Sequence, residues 1–216
     1  RDTLLTVKGH AAVRSQLDFN RVWAREALNI VYLPCVDTQK DYPLADAYVA
    51  QIPELGIHDI MEILVAQIER AQHTIVIATP YFYPPRRLRQ ALMTAYQRGV
   101  AITLMLASKT DTPTADRVTR GLVSDWRRLG FHVVFYQPQV LHAKYALIDR
   151  NWATVGSCNF DLLSLKYNRE ANIVVRNQIH VEKFAQQCDD DLGLCFSTPA
   201  QNANPNLFDR AVGRLG

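Results

Sequence analysis

The chain has 216 residues, 48% of them hydrophobic and 21% charged, which are the proportions of a folded globular protein and exclude a disordered or fibrous chain. A formal net charge of +3 and an isoelectric point of about 8.7 suit an anionic substrate or surface, but they fall short of the charge density of a nucleic-acid coat protein. The four cysteines form no CxxC pair and have no histidine at zinc-ligand spacing, and no apolar run reaches the roughly 18 to 20 residues of a membrane span, so neither a metal knuckle nor a transmembrane helix is expected.

In chain order, "DTLLTVKG" alternates loosely and is rich in Thr and Val, which predicts a strand. "AAVRSQLDFNRVWAREAL" follows with Val13, Leu17 and Trp23 near helical spacing, predicting a helix. Between Asn29 and Gly56 the periodicity fades among Pro34, Pro43 and Pro53, so residues 29–56 are expected to be a connector. From residue 57 a regular rhythm begins: helix "DIMEILVAQIERAQ", strand "TIVIATPYF", helix "PPRRLRQALMTAYQRG", strand "VAITLMLAS", helix "TADRVTRGLVSDWRRLG", strand "HVVFYQ". Long helices alternating with β-branched strands predict an α/β domain with a mixed, largely parallel sheet flanked by helices. Pro84 and Pro85 suit a helix start, and Gly99 and Gly130 suit helix ends. After Gln139 come strands joined by short turns, "AKYALID", "WATVGS" and "ANIVVRN", then a last helix near "HVEKFAQQCDDDL". The catalytic unit is placed at 57–196 and a polar tail at 197–216, while 1–28 reads as a remnant of a preceding unit. The chain opens on Arg1 with no signal-peptide pattern, so it is expected to be a piece of something longer.

Within "VLHAKYALIDRNWATVGSCNFD", His142 and Lys144 are two residues apart, which on a strand puts both side chains on one face about 7 Å apart. Asp149 closes that strand. Gly156 lets backbone approach a ligand closely, and Ser157 and Asn159 offer a hydroxyl and an amide on the returning loop. Taken singly, each has a bland reading: a hydrogen-bonded structural histidine, a solvated lysine, a common turn aspartate.

Jointly, His142, Lys144, Asp149, Gly156, Ser157 and Asn159 resemble the HKD signature of the phospholipase D superfamily, with Glu170 in "SLKYNREANIVV" in the place of a further family glutamate. "DTLLTVKGHAAVRSQLDFNRVW" looks like the segment after the first signature in members carrying two. "ATPYFYPP" and "VGSCNFDLLSLKYNREANIVV" look most like the C-terminal half of bacterial cardiolipin synthases. The resemblance implies a phosphatidyltransferase working through a phosphohistidine. His142 would attack phosphorus or protonate the leaving alcohol. Lys144, Ser157 and Asn159 would hold the phosphate, and Glu170 would orient His142. Asp149 counts as a catalytic-signature member, although the family pattern implies that it faces away from the pocket.

No metal or other cofactor is implied. The implied partners are an anionic phospholipid, the cytoplasmic face of a membrane engaged peripherally, and a second HKD half supplied by a preceding segment or by a homodimer mate. The alternative is a phospholipase D hydrolase or a phosphodiesterase acting on nucleic acid, with its site formed by dimerisation. Arg86, Arg87, Arg89, Arg117, Arg120, Arg127 and Arg128 read either as a solvated basic face or as contacts to lipid headgroups. Tyr81 reads as lining the pocket mouth or as a core plug, and Cys158 is assigned no chemistry.

Overall fold

The computed structural model describes residues 1–28, 46–108 and 113–197. Most of the expected connector, Cys35 and nearly all of the expected tail lie outside the described residues. The elements are α1 (His10–Leu28), β1 (Ala47–Ile52), β2 (Ile57–His58), α2 (Asp59–Arg70), β3 (Thr74–Thr79), β4 (Phe82–Tyr83), α3 (Arg86–Gln97), β5 (Ala101–Ala107) and α4 (Pro113–Arg128). After them come β6 (His132–Tyr136), β7 (Tyr145–Ile148), β8 (Trp152–Gly156), β9 (Phe160–Asp161), α5 (Leu162–Lys166), β10 (Glu170–Val175), α6 (Gln178–Gly193) and β11 (Cys195–Phe196).

Nine strands form one sheet in the order β11-β6-β5-β3-β7-β8-β10-β1-β2. The expected mixed α/β sheet flanked by helices is present, and its parallel part is the core β3, β5 and β6, whose strands are joined by α3 and α4. The remaining pairings of this sheet are antiparallel, so its parallel share is smaller than expected, while β4 and β9 pair in parallel as a separate two-stranded sheet. The cause is loop length: a parallel neighbour needs a crossover of a dozen or more residues, and β7 and β8 are joined by a turn that permits only an antiparallel return.

Alternation along the strands divides the core. Ile75, Ile77, Leu104 and Leu106 face α2, α3 and α4, where Leu64, Ile68, Leu88, Leu92 and Trp126 pack on them. On the other face, Ala78, Met105, Tyr145 and Val155 meet Val181, Ala185 and Cys188 of α6. Gly99 and Gly130 lie at φ 93° and 95°, just past the ends of α3 and α4, as their type predicts.

Two expectations change, and α1 shows which of its faces packs. Residues 1–8 form no strand: among the described residues the backbone of Arg1 bonds to the run before β7, and Leu4 is 92% exposed. The connector contains β1, a full member of the sheet between β10 and β2, whose short alternating run "AYVAQI" is obscured in the sequence by the prolines around it. On α1, Val13 and Trp23 are 55% and 60% exposed and Leu17 is half-buried, while Ala11, Asp18, Arg21 and Ala24 are buried. Two alanines let this face sit close to β1. Asp18 is tolerated there because it accepts from Arg21 at 2.9 Å and Arg14 at 3.4 Å.

Candidate active site

The site forms where β7 begins, β8 ends and β10 begins. Tyr145 pairs with Val155 and Gly156 with Asn172, so the residues just outside these registers converge. His142 and Lys144 lie on the extended run leading into β7 rather than within it, and they keep the alternation that continues into Ala146 and Ile148. Ser157 and Asn159 follow β8, and Glu170 opens β10. His142, Lys144, Ser157 and Asn159 line one cleft of about 580 Å³, together with Asp2 and Tyr48. Its wall includes the apolar Leu4, Leu5, Val7, Val155 and Ile173.

The His142 side chain is 58% exposed, and its Nδ1 lies 2.9 Å from Asp2 Oδ1. An ionised carboxylate only accepts hydrogen bonds, so in a neutral imidazole this contact places the proton on Nδ1 and leaves the Nε2 lone pair free. Lys144 is 8% exposed, and its Nζ donates to the His142 carbonyl oxygen, which holds the ammonium against the cleft wall. Asn159 Oδ1 is buried without a hydrogen bond among the described residues, an acceptor available within the cleft.

Among the described residues Glu170 makes no hydrogen bond to His142; it accepts from Ser157 Oγ and stands 3.5 Å from Asn168 Nδ2. Ser157 is correspondingly engaged. Its single hydroxyl hydrogen goes to Glu170, and its oxygen accepts from Ala171 N–H at 3.0 Å, so it fastens the loop instead of offering a donor to a phosphate.

Asp149 stands at the far end of β7 and does not join the cleft. Its carboxylate accepts from the backbone N–H groups of Gln72 and His73 at 2.8 Å each and of Thr74 at 2.9 Å. Partial burial pushes this carboxyl up, but the Thr74, Gln72 and His73 donors outweigh it and hold the group below the ordinary aspartate value.

The glycine of the signature serves packing. A Cβ on Gly156 would stand 2.2 Å from the Ala171 carbonyl oxygen and 2.6 Å from Asn172 Cα, so the close approach is that of β10 and not of a ligand. Cys158 is buried, and desolvation holds its thiol well above the usual range, consistent with no chemical role. Its N–H donates to Asn172 Oδ1 at 3.2 Å, while Asn172 Nδ2 donates to Thr154 Oγ1 at 3.0 Å, so one buried amide ties the loop to β8.

Sequence reasoning missed Asn172, Tyr48 and Asp2. Burial pushes the Tyr48 phenol up to about 12, helped by Asp18 and opposed by Arg14, so it stays protonated at the cleft. Asp2 had one signal, its place in a segment like the one after a first signature. Tyr81 is not among the residues lining this cleft. Several of the expected basic-face residues are engaged within the fold: Arg87 with Glu62 at 2.7 Å, Arg127 with the Val133 carbonyl at 3.0 Å and Arg128 with Asp125 at 3.1 Å.

A family profile described as "Cardiolipin synthase, PLD-like domain" matches residues 64–192. The chain is similar to cardiolipin synthase B of Shigella flexneri, 35% identical over 152 residues that make up 70% of this chain and 36% of the relative. It is also similar to cardiolipin synthase 2 of Bacillus cereus, 30% identical over 196 residues, 89% of this chain and 38% of the relative. It thus spans little more than a third of the length of these curated relatives. In fold it is similar to the phospholipase D family member Nuc of Salmonella typhimurium, with a TM-score of 0.58 and 19% identity over 70% of this chain and 96% of that one. Phosphatidylserine synthase of Haemophilus influenzae gives a TM-score of 0.64 and 13% identity over 98% of this chain and 54% of that one.

Proposed function

The chain belongs to the cardiolipin synthase-type, phospholipase D-like domain family, and from that premise we propose that it supplies one catalytic half of a phosphatidyltransferase acting on phospholipid phosphodiesters. The observation that carries this reading is the single cleft in which His142, oriented by Asp2, stands beside Lys144 and Asn159.

A phosphodiester anion repels nucleophiles, so its turnover needs charge neutralisation and a pre-positioned attacking atom. The His142 Nε2 lone pair attacks phosphorus, forming a P–N bond as the P–O bond to the leaving alcohol breaks. Asp2 stabilises the imidazolium character that develops, the part a third group plays in other nucleophile and base pairs. The Lys144 ammonium meets the non-bridging oxygens. The leaving oxygen takes its proton from an acid outside this chain's cleft, the histidine of a second HKD half. That group then removes the proton from an acceptor alcohol, whose oxygen displaces Nε2 and restores His142. With water as acceptor the same steps are hydrolysis.

The apolar wall formed by Leu4, Leu5, Val7, Val155 and Ile173 supports a substrate with acyl chains over one that is polar throughout. No helix among the described residues is long and apolar enough to cross a membrane, so the substrate is proposed to be reached from the membrane surface. The test is to incubate the full-length protein with vesicles containing phosphatidylglycerol and, separately, with single-stranded DNA. Cardiolipin is expected, with a phosphatidyl adduct that is stable to base, labile to acid and absent from a folded His142→Ala variant. Strand cleavage without lipid turnover, or turnover in that variant, would overturn the reading.

A further inference from the structure

The contact between Asp2 and His142 is exposed on both sides, with side-chain exposures of 62% and 58%. An ion pair this exposed is screened by water and contributes little, too little to hold an otherwise unanchored segment in place. Residues 1–8 belong to no regular element, and Leu4 and Leu5 are 92% and 42% exposed. A stronger contact must therefore hold Asp2 at the imidazole.

That contact is made one residue earlier. The Arg1 carbonyl accepts from His142 N–H at 2.8 Å and from Ala143 N–H at 3.0 Å, and the Arg1 nitrogen donates to the Val140 carbonyl. These bonds have the pattern of a parallel bridge with Arg1 across Leu141, which sets Asp2 beside His142. The Arg1 side chain turns inward, and its Nε donates to Asp191 Oδ1 at 3.0 Å. Asp191, on α6, is 3% exposed, and its Oδ2 is buried without a hydrogen bond among the described residues. The Arg1 side chain is 24% exposed and Asp191 is buried, and a buried carboxylate deprived of its cation is destabilising, so this pair opens less readily than the exposed one it adjoins.

We infer that the Arg1–Asp191 ion pair is a latch that holds Asp2 against His142 Nδ1, which makes Asp191 a positioning residue of the proposed phosphatidyl-transfer site. Through the latch α6, which contributes no residue to the cleft lining, governs the orientation of His142. With the latch released, the N-terminal segment no longer presents its carboxylate, and the imidazole is free to rotate and to carry its proton on Nε2.

The inference rests on the reading of His142 as the reacting group, and the experiment separates the two. In the full-length protein, the double variant Arg1→Met with Asp191→Leu replaces the pair by apolar groups and leaves no buried charge behind, a change that other buried pairs tolerate. Its melting temperature is expected to stay near that of the wild type, while kcat falls by at least about 10-fold with KM little altered. Combined with Asp2→Asn, it should lower kcat no further than Asp2→Asn alone, because both remove the same orientation. Nitrogen NMR of the His142 ring should move from the Nδ1-protonated form to a mixture of tautomers. If the double variant does not fold, Asp191→Asn, which keeps the shape and removes the charge, is read by the same kcat and ring signals. Unchanged kcat and an unchanged ring tautomer in a folded latch variant would overturn the latch and leave the functional reading intact if His142→Ala is inactive. A turnover-competent His142→Ala protein would overturn both.

Discussion

Asp149 belongs to the signature by spacing, yet its geometry makes it a folding residue, and Asp149→Asn tests that separation. The carboxylate accepts three backbone N–H bonds of 2.8, 2.8 and 2.9 Å, fastening the entry of β3 to the end of β7. Asparagine is the suitable replacement because Asp149 has φ 49°, a left-handed conformation that asparagine adopts more easily than most residues. Its single amide oxygen accepts at most two of the three bonds, and each loses its charge assistance. Bonds to a charged group contribute about 1.5–3 kcal/mol against about 0.5–1.5 for neutral ones, and partial exposure reduces the difference, so a loss of about 2 kcal/mol is expected.

For a chain of this size that corresponds to a fall of about 4–8 °C in melting temperature. The folded-state carboxyl lies below its unfolded value, so its stabilisation is fully present above about pH 4 and is lost as the pH falls through the folded value. The gap between wild type and variant, followed by circular dichroism, should therefore be constant from about pH 5 to 8 and should close in acid. Turnover by the full-length protein at a temperature where both are folded should be unchanged. A gap that persists in acid, or a lost turnover without a stability change, would refute the reasoning.

Gly156→Ala drives a Cβ to 2.2 Å from the Ala171 carbonyl oxygen and should cost about 1–3 kcal/mol in thermal unfolding while displacing the loop that carries Asn159. Asn172→Ala removes the bonds to Thr154 and Cys158 and leaves the Cys158 N–H unpaired in the interior. A loss of about 2–3 kcal/mol in urea unfolding is expected, with turnover lowered at temperatures where the variant remains folded. Glu170→Gln keeps an acceptor for Ser157, so the stability change should be within about 1 kcal/mol, read from thermal unfolding.

What the sequence determined by itself is what lies close together along the chain. The alternation of helices and strands from β3 to β6, the glycine ends of α3 and α4, and the pairing of His142 and Lys144 with Asn159 all depend on neighbours within about twenty residues. A hairpin brings its two arms together whatever surrounds it. The tertiary structure decided the rest. Asp2 meets His142 across 140 positions and Arg1 meets Asp191 across 190, separations that no local pattern encodes. The place of β1 was equally hidden, since its strand becomes visible only through its pairing with β10 and β2. Helical spacing identified α1 but not the face it packs with, and here two alanines and a buried ion pair lie on the face turned to the protein. The family resemblance implied that Glu170 orients His142, whereas in the structure, beside the register of β8 on β10, it accepts from Ser157. A carboxylate's partner is chosen by where the chain carries its oxygens, and this is fixed only when the strands have paired.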